Sequence, residues 1–317
     1  MAPTKQLARR LGQAVVVLLL VSVIVFTLEH LLPGGPARAE LGTRATPSAI
    51  EAFNRANGLD QPIPGQYLNW LGQLLQGDLG YSYQQNQSVN ALLSANLPKT
   101  LVLTGTALLV AVVLAIGVGI AQAAQRKRPL DAALSGLAFT LYSMPVFWLA
   151  LLLVDVFAVR LGVLPAEAPQ GDLAQVLSHP QAMVLPVLTI ALVTLAAFSR
   201  YIRSSLTDEL TQDYVRAAKA RGASRSRVLL VHALRNALIP VVTLIGLSLP
   251  SLIGGAVIVE VVFNYPGMGL LLYHAALSDD YPVLLGVSMA VATATVLGSF
   301  LADAAYQLVD PRVRSGR

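Results

Sequence analysis

The sequence predicts an all-α protein that crosses a membrane six times. The chain has 317 residues, of which 55% are hydrophobic and only 12% are charged, whereas soluble domains carry about 25% charged residues. Six stretches are almost free of charge, and each approaches the ~20 apolar residues that a helix needs to span the hydrocarbon core. They lie at approximately residues 11–28, 101–124, 132–154, 183–199, 237–259 and 281–302.

The basic residues predict the side of the membrane on which each loop lies. Lys and Arg residues that flank spans are retained on the cytoplasmic side. With the amino terminus inside, 17 of the 22 Lys and Arg residues fall in cytoplasmic segments and 5 in outer ones. We therefore expect both termini in the cytoplasm. Because the positive charge follows topology and forms no single stripe, nucleic acid is not an expected partner, whereas membrane lipid is.

This topology divides the chain into a first span, an outer loop, a five-helix core with a large cytoplasmic loop, and a tail. The boundaries are 1–31, 32–98, 99–310 with the loop at 200–236, and 311–317. The alternative for the first span is a cleaved signal peptide, since Ala37-Arg38-Ala39 fits a small-x-small cleavage site. Its apolar core is longer than signal peptides use, however, and the site lies well beyond its end.

The outer loop carries two amphipathic runs, which predict a small folded cap rather than a linker. In the first run we expect Ser48 to cap a short helix and Gly58 to end it. In the second, Tyr67 and Trp70 are suited to a membrane interface. The cap is either a lid that packs on the spans or a docking surface for an external partner, and the sequence favours neither.

The cytoplasmic loop predicts a helix, a turn and a second helix. Asp213 or Thr211 is expected to cap the first helix, and Ser224 the second. Gly222 fits the left-handed position that ends a helix.

The first of these helices has a surface suited to a protein groove. Its small side chains let another backbone come close, and its basic side chains offer ion-pair partners. The small ones are Ala217, Ala218 and Ala220, and the basic ones Arg216, Lys219 and Arg221. The alternative is a basic helix on anionic lipid headgroups, but such helices carry a broad apolar face of bulky residues, which is lacking here.

Six motifs occur in order along the chain. They are RRLGQAVVVLLLVSVIVFTLEHLLPGGPA, GDLGYS, YSMPVFWLALLL, DYVRAAKARGASRSRVLLVHALRNALIPVVT, VVFNYPGMG, and DYPVL with VDPRVR. In this order the chain resembles the dipeptide/oligopeptide permease family of ATP-binding-cassette (ABC) importers over nearly its whole length. Two positions depart from the general importer motif, because Arg216 stands where that motif has Glu, and Leu234-Arg235 where it has Leu-Pro.

The resemblance implies an ABC importer permease fold in a bacterial-type cytoplasmic (inner) membrane. It also implies a second homologous permease subunit, two cytoplasmic ATPase subunits and an extracytoplasmic solute-binding protein. The implied ATPase-coupling residues are Arg216, Ala217, Ala218, Lys219, Gly222, Ser224 and Arg225. The implied residues of the substrate pathway or the binding-protein docking surface are Asp155, Glu260, Asn264, Tyr265, Pro266 and Gly267.

The chain itself is expected to bind no cofactor and to catalyse no reaction. It has no G-x-x-x-x-G-K-[ST] phosphate loop, so ATP and Mg²⁺ are expected in the partner ATPases. It has no cysteine, and its four histidines lack metal-ligand spacing.

Alternatives remain for the function. The same permease role could serve nickel or another metal chelate, glutathione or a sugar. An ion-driven secondary transporter would favour repeated halves and mid-membrane ionisable groups, and neither is evident. An intramembrane enzyme would need a catalytic set within the spans, which none of them supplies.

Overall fold

The computed structural model describes residues 3–30, 37, 41, 45–82 and 84–309, and these are overwhelmingly helical. The predicted tail at 311–317, residues 31–36 and most of the candidate cleavage site lie outside the described residues. The helices are α1 Pro3–His30, α2 Pro47–Ala56, α3 Ile63–Leu75, α4 Val89–Ala124, α5 Pro129–Ser143, α6 Val146–Leu153, α7 Leu173–Ser178, α8 Pro180–Glu209, α9 Asp213–Ala220, α10 Arg225–Arg227, α11 Leu234–Ala237, α12 Ile239–Val262, α13 Met268–Leu277 and α14 Tyr281–Val309. Two π-helical stretches follow α6 and α10, at Val154–Arg160 and Val228–Ala233, and strands β1 Tyr81–Ser82 and β2 Gln87–Ser88 pair antiparallel.

Four of the described helices, α1, α4, α8 and α14, are long and apolar enough to cross a membrane. Two bent pairs raise the possible number of spans to six, as the sequence predicts. The third predicted span is not one continuous helix, since the chain bends by 107° between α5 and its continuation at Val146–Arg160. The cause is Pro145, which disfavours helical backbone at Met144 and leaves that residue extended, with ψ 130°.

The chain divides into two compact units, Met1–Thr100 with Pro266–Val296, and Leu101–Tyr265 with Leu297–Arg317. In the first unit the start of α4 packs on α13 and α14 through an apolar cluster that includes Val89, Met268 and Val287. The folded cap is present as α2 and α3. Thr46, rather than Ser48, caps α2 by accepting a bond from the Ala49 N–H (3.3 Å), and Gly58 is left-handed at φ +65°.

The second unit is built around α8, and 67% of the most apolar segment of this helix is buried. Its central cluster joins residues of α4, α6, α8 and α12, among them Leu103, Leu149, Leu185 and Val259. Nearer the predicted cytoplasmic end, Ile202 packs with Ala115 and Val241. The buried surface of α8 thus holds its neighbours around one helix.

The close approach of α4 to α8 depends on Gly119. A Cβ atom at Gly119 would lie 2.6 Å from Cγ2 of Ile202, whereas one at Gly117 would meet nothing within 4 Å. Both glycines lie in the same apolar stretch of α4, but of the two only Gly119 has a packing role.

We therefore expect Gly119→Ala to destabilise the protein by about 1–3 kcal/mol, because the methyl group overpacks the contact with Ile202. The matched control Gly117→Ala should leave stability unchanged or slightly raised, since Ala is the better helix former. Thermal unfolding in detergent measures both, and equal melting temperatures for the two variants would contradict the assignment.

Candidate functional site

Helix α9 starts at Asp213, one residue later than a Thr211 cap would place it. Gln212 is the N-cap residue and makes no side-chain capping bond, and the Thr211 hydroxyl donates instead to the Asp208 carbonyl (2.7 Å). Both predicted caps are therefore wrong. Asp213 lies in the first turn of α9, where its negative charge interacts favourably with the positive end of the helix dipole and stabilises the helix.

The end of α9 is a Schellman turn centred on Gly222. The Ala223 N–H donates to the Ala218 carbonyl (3.1 Å) and the Gly222 N–H to the Lys219 carbonyl (2.9 Å). Gly222 has φ +83°, with nothing near the position of a Cβ atom. This bond pair with a left-handed residue fixes how the helix ends, so the cost of a side chain at Gly222 is conformational rather than steric. The predicted role of Gly222 as the helix terminator is confirmed.

The second helix starts where the sequence predicts, at Ser224. The Ser224 hydroxyl accepts a bond from the Arg227 N–H (3.4 Å), which satisfies one of the free donors at a helix start. Helical backbone then continues through the π-helical stretch Val228–Ala233 into α11, and the chain bends by 41° at Leu238 before α12 begins. The loop is therefore joined to the next apolar helix through a bend of one residue.

The inner face of α9 packs against the unit's own helices. Val215 is fully buried and Ala218 is 6% exposed, and both belong to an apolar cluster with Ala123 of α4 and Leu206 of α8. The rest of this cluster comes from the second helix of the loop, at Val228, Ala233 and Ala237. Ala218 therefore does not share the exposed surface that the sequence assigned to it.

The outer face of α9 is polar and basic. Arg216, Ala217, Lys219 and Ala220 are exposed, and Arg216 pairs with Asp213 of its own helix (3.3 Å). Among the described residues this is the ion pair that Arg216 makes, and such exposed pairs contribute little to stability. This face, with its small side chains between cations, has no packing role in the same part of the chain.

Two side chains tie the loop to its surroundings. Arg225 donates through Nη2 to the Ala124 carbonyl at the end of α4. The Tyr214 hydroxyl donates to a Glu209 carboxylate oxygen at the end of α8 and lies 3.4 Å from the His232 carbonyl. Burial and the neighbouring Glu209 carboxylate raise the pKa of Tyr214. Arg225, predicted to contact a partner, thus already has a bond within the chain.

A buried ion pair beside the loop escaped the sequence analysis. The Asp131 carboxylate, 5% exposed, accepts two parallel bonds from Arg203, Nε to Oδ1 (2.7 Å) and Nη2 to Oδ2 (2.8 Å). It also accepts from the Lys127 N–H (3.1 Å) and the Ser135 hydroxyl (3.4 Å). This geometry locks the start of α5 to α8. The sequence feature that could have indicated this ion pair is the single acidic residue, Asp131, that follows three basic residues in the short run RKRPLD.

The predicted outer residues of the second unit do not form one open site. Asp155 is 46% exposed and pairs with Arg160 (2.8 Å), whereas Glu260 is fully buried. Tyr265 is also fully buried, and its N–H donates to the Glu260 carbonyl (2.8 Å). Burial and the negative charge of Glu260 raise the pKa of Tyr265. A role in the substrate pathway remains a prediction for both buried residues.

The NYPG loop is held by backbone bonds and by the preceding loop. Asn264 is left-handed at φ +47°, its amide donates to Glu167 (3.3 Å), and its carbonyl accepts from Gln170 (2.5 Å). Pro266 and Gly267 are buried. Of these four predicted docking residues only Asn264 is partly exposed, and a docking role for this loop stays a prediction.

Two motifs of the first unit meet at a buried bond. The Ser82 hydroxyl of GDLGYS donates to the Asp280 carboxylate of DYPVL (2.5 Å), and both side chains are fully buried. Burial raises the pKa of Asp280. Lys99 is one of the five Lys and Arg residues that the sequence assigns to outer segments. It is likewise buried within α4, at 4% exposure. Neither the Ser82–Asp280 bond nor the burial of Lys99 can be predicted from the residues next to them in the sequence.

The cap contains a cavity of about 470 Å³ within the first unit. Its lining mixes aromatic rings with amide side chains, including Phe26, Trp70, Tyr81, Gln66 and Asn69. His30 at its edge bonds through both ring nitrogens, to the Phe26 carbonyl (2.8 Å) and to Gln66 Oε1 (3.0 Å). Whether the cap serves as a lid or as a docking surface stays open.

The structure is that of an α-helical chain with several apolar helices able to cross a membrane, and with a short loop helix, α9, that exposes a basic face. Residues 112–315 match the family described as binding-protein-dependent transport system inner membrane component, and residues 4–104 match the N-terminal component of the same systems. The chain belongs to this family of ABC importer permeases.

Individual relatives agree with that membership. A putative peptide permease protein of Brucella suis is 39% identical over 94% of this chain and 95% of its own. The oligopeptide transport system permease protein AppB of Bacillus subtilis is 36% identical (96% and 98% covered), and the glutathione transport system permease protein GsiC of Salmonella choleraesuis is 38% identical (96% and 97%). A chain of the MetNI methionine ABC transporter, solved in inward-facing conformations, shares the fold at TM-score 0.58 and 18% identity, covering 69% of this chain and 96% of its own.

We expect Asp131→Asn to destabilise the protein by up to about 3 kcal/mol, because it leaves the partly buried Arg203 without its counter-charge. Asp155→Asn removes a carboxylate from an exposed pair and should cost less than about 1 kcal/mol. Denaturation of the purified variants in detergent compares them. A loss for Asp131→Asn no greater than for Asp155→Asn would show that the buried pair does not hold α5 to α8.

Proposed function

We propose that this chain is the translocating subunit of an ATP-driven importer of peptides, and that α9, the coupling helix, transmits movement from separate ATPase subunits. The observation that carries this proposal is the division of α9 into two faces. One face is fixed in the apolar cluster under α4 and α8, and the other presents Arg216, Ala217, Lys219 and Ala220 to the surroundings. A force on the exposed face is thus applied to the membrane helices.

The mechanism follows from how the coupling helix is joined to its neighbours. A helix in a partner's groove moves with that groove. The Schellman turn at Gly222 and the helical backbone from Arg225 to Ala237 pass the displacement toward α12, while the apolar cluster passes it to α4 and α8. Because Asp131 binds Arg203, the start of α5 moves with α8. Movement of these helices would open and close the pathway.

The partners of this proposal supply what the chain lacks. Two cytoplasmic ATPases would bind ATP and Mg²⁺ and receive the coupling helix. A second homologous permease would complete the pathway across the cytoplasmic membrane, and an extracytoplasmic solute-binding protein would deliver the solute to the outer side. Support for this assembly comes from the family itself, whose members are inner membrane components of binding-protein-dependent transport systems.

Peptides are the proposed solute because relatives over the full length are named peptide and oligopeptide permeases. Glutathione is the second candidate, on the 38% identity to a glutathione permease. Both solutes carry a free ammonium group, for which the partly exposed Asp155 is the candidate contact on the predicted outer side. Competition between a labelled dipeptide and glutathione for uptake separates the two.

The coupling role predicts that Gly222→Val uncouples ATP hydrolysis from transport. Valine at a left-handed position costs about 1–2 kcal/mol, which is relieved by rearranging the turn. We expect peptide uptake per ATP hydrolysed to fall on the order of tenfold in the reconstituted complex, with membrane insertion and subunit assembly retained.

Gly222→Asn is the matched control, because Asn tolerates left-handed backbone far better than a β-branched residue. It should retain most of the coupling. Normal uptake per ATP in Gly222→Val would refute the role of this turn, and transport by a purified chain free of any ATPase would refute the proposed function as a whole.

A further inference from the structure

We propose that a cavity between α5 and α8 binds the phosphate headgroup of an anionic phospholipid. The cavity has a volume of about 610 Å³ and lies entirely within the second unit. Its polar lining consists of hydroxyl and guanidinium groups, from Ser135, Tyr142, Arg200, Tyr201, Arg203 and Ser204. Guanidinium groups such as that of Arg200 on α8, and hydroxyl groups such as that of Tyr142 on α5, are donors that bind phosphate oxygens.

Arg200 brings to the cavity a positive charge that has no carboxylate partner in the described part of the chain. Arg203 is paired with Asp131, which occupies its Nε and Nη2 and leaves Nη1 without a bond among the described residues. Arg200 has no ion pair among the residues that the structure describes. Its guanidinium carbon lies 5.6 Å from the centre of the Tyr142 ring, an arrangement that holds the cation over the cavity wall.

The buried carboxylate also pre-organises the site. Because Asp131 fixes the orientation of the Arg203 guanidinium, Nη1 is held in place before any ligand arrives. A ligand then loses little side-chain freedom on binding, and this is how rigid sites gain affinity. An anion that contacts Arg200 and Arg203 would lie against α5 and α8 together.

The position of the cavity favours a lipid over a soluble anion. The charge distribution puts Arg200 and Arg203 at the cytoplasmic membrane surface. Phe139, Tyr142 and Tyr201 at the cavity are 64%, 54% and 56% exposed, and the rings of Tyr concentrate at the headgroup level. These rings offer an apolar path from the cavity into the acyl region.

The neighbouring turn adds attraction for the same class of lipid. Arg126, Lys127 and Arg128 are all exposed between α4 and α5. Basic residues near the membrane surface each favour anionic lipid by about 1 kcal/mol, and basic pockets between helices on the cytoplasmic side bind anionic headgroups. The site does not depend on which solute the chain carries or on the coupling helix.

Titration of the intact transporter complex with dioleoyl phosphatidylglycerol, followed by native mass spectrometry, tests the proposal. We expect wild-type protein to retain phosphatidylglycerol in preference to phosphatidylcholine. Arg200→Gln should weaken phosphatidylglycerol binding at least fivefold, since a hydrogen bond to a charged group is lost. Arg227→Gln removes the same charge from an exposed position outside the cavity and should leave binding unchanged.

Three outcomes would overturn the site. Equal weakening by Arg200→Gln and Arg227→Gln would reduce the effect to general surface charge. Displacement of the lipid by millimolar inorganic phosphate would assign the cavity to a soluble anion. Loss of the second permease subunit from the Arg200→Gln complex, with lipid binding retained, would assign it to a protein interface. None of these results bears on ATP-coupled transport, which the Gly222 variants test separately.

Discussion

In the proposed mechanism, the coupling helix α9 acts on the membrane helices only because its inner face is buried against them. Val215 and Ala218 are spaced three residues apart, so both point to one side of α9, and there they meet Ala123 of α4 and Leu206 of α8. The small size of Ala218 lets the helix lie close to this surface. The basic side of α9 remains exposed. The helical period therefore places the packing residues and the basic residues on opposite faces of α9.

Polar contacts then restrict how this cluster can move. The Arg225 bond to the Ala124 carbonyl joins the second helix of the loop to α4, and the Asp131–Arg203 pair joins α5 to α8. Apolar contacts are non-directional, whereas a paired guanidinium and carboxylate fix both distance and orientation. Together these contacts join the predicted cytoplasmic ends of α4, α5 and α8 to one another.

Local chemistry made part of this arrangement predictable. The roles of Gly222 and Ser224 could be predicted, because a left-handed helix terminator and a hydroxyl cap depend only on the neighbouring backbone. The break at Pro145 is local in the same way. The depth at which Ala218 is buried and the pairing of Asp131 with Arg203, 72 residues apart, depend on which helices pack together. The Ser82–Asp280 bond joins residues 198 positions apart, and no local pattern anticipates such a contact.

Cysteine cross-linking gives the most direct test of the central claim that one face of α9 receives the ATPase and the other does not. The chain has no native cysteine, so single cysteines at Ala217, which is exposed, and Ala218, which is 6% exposed, report on the two faces one residue apart. In the assembled transporter the account predicts that Ala217→Cys cross-links to an ATPase subunit carrying cysteines along its groove, whereas Ala218→Cys does not. Cross-linking through position 218 with none through 217 would contradict it.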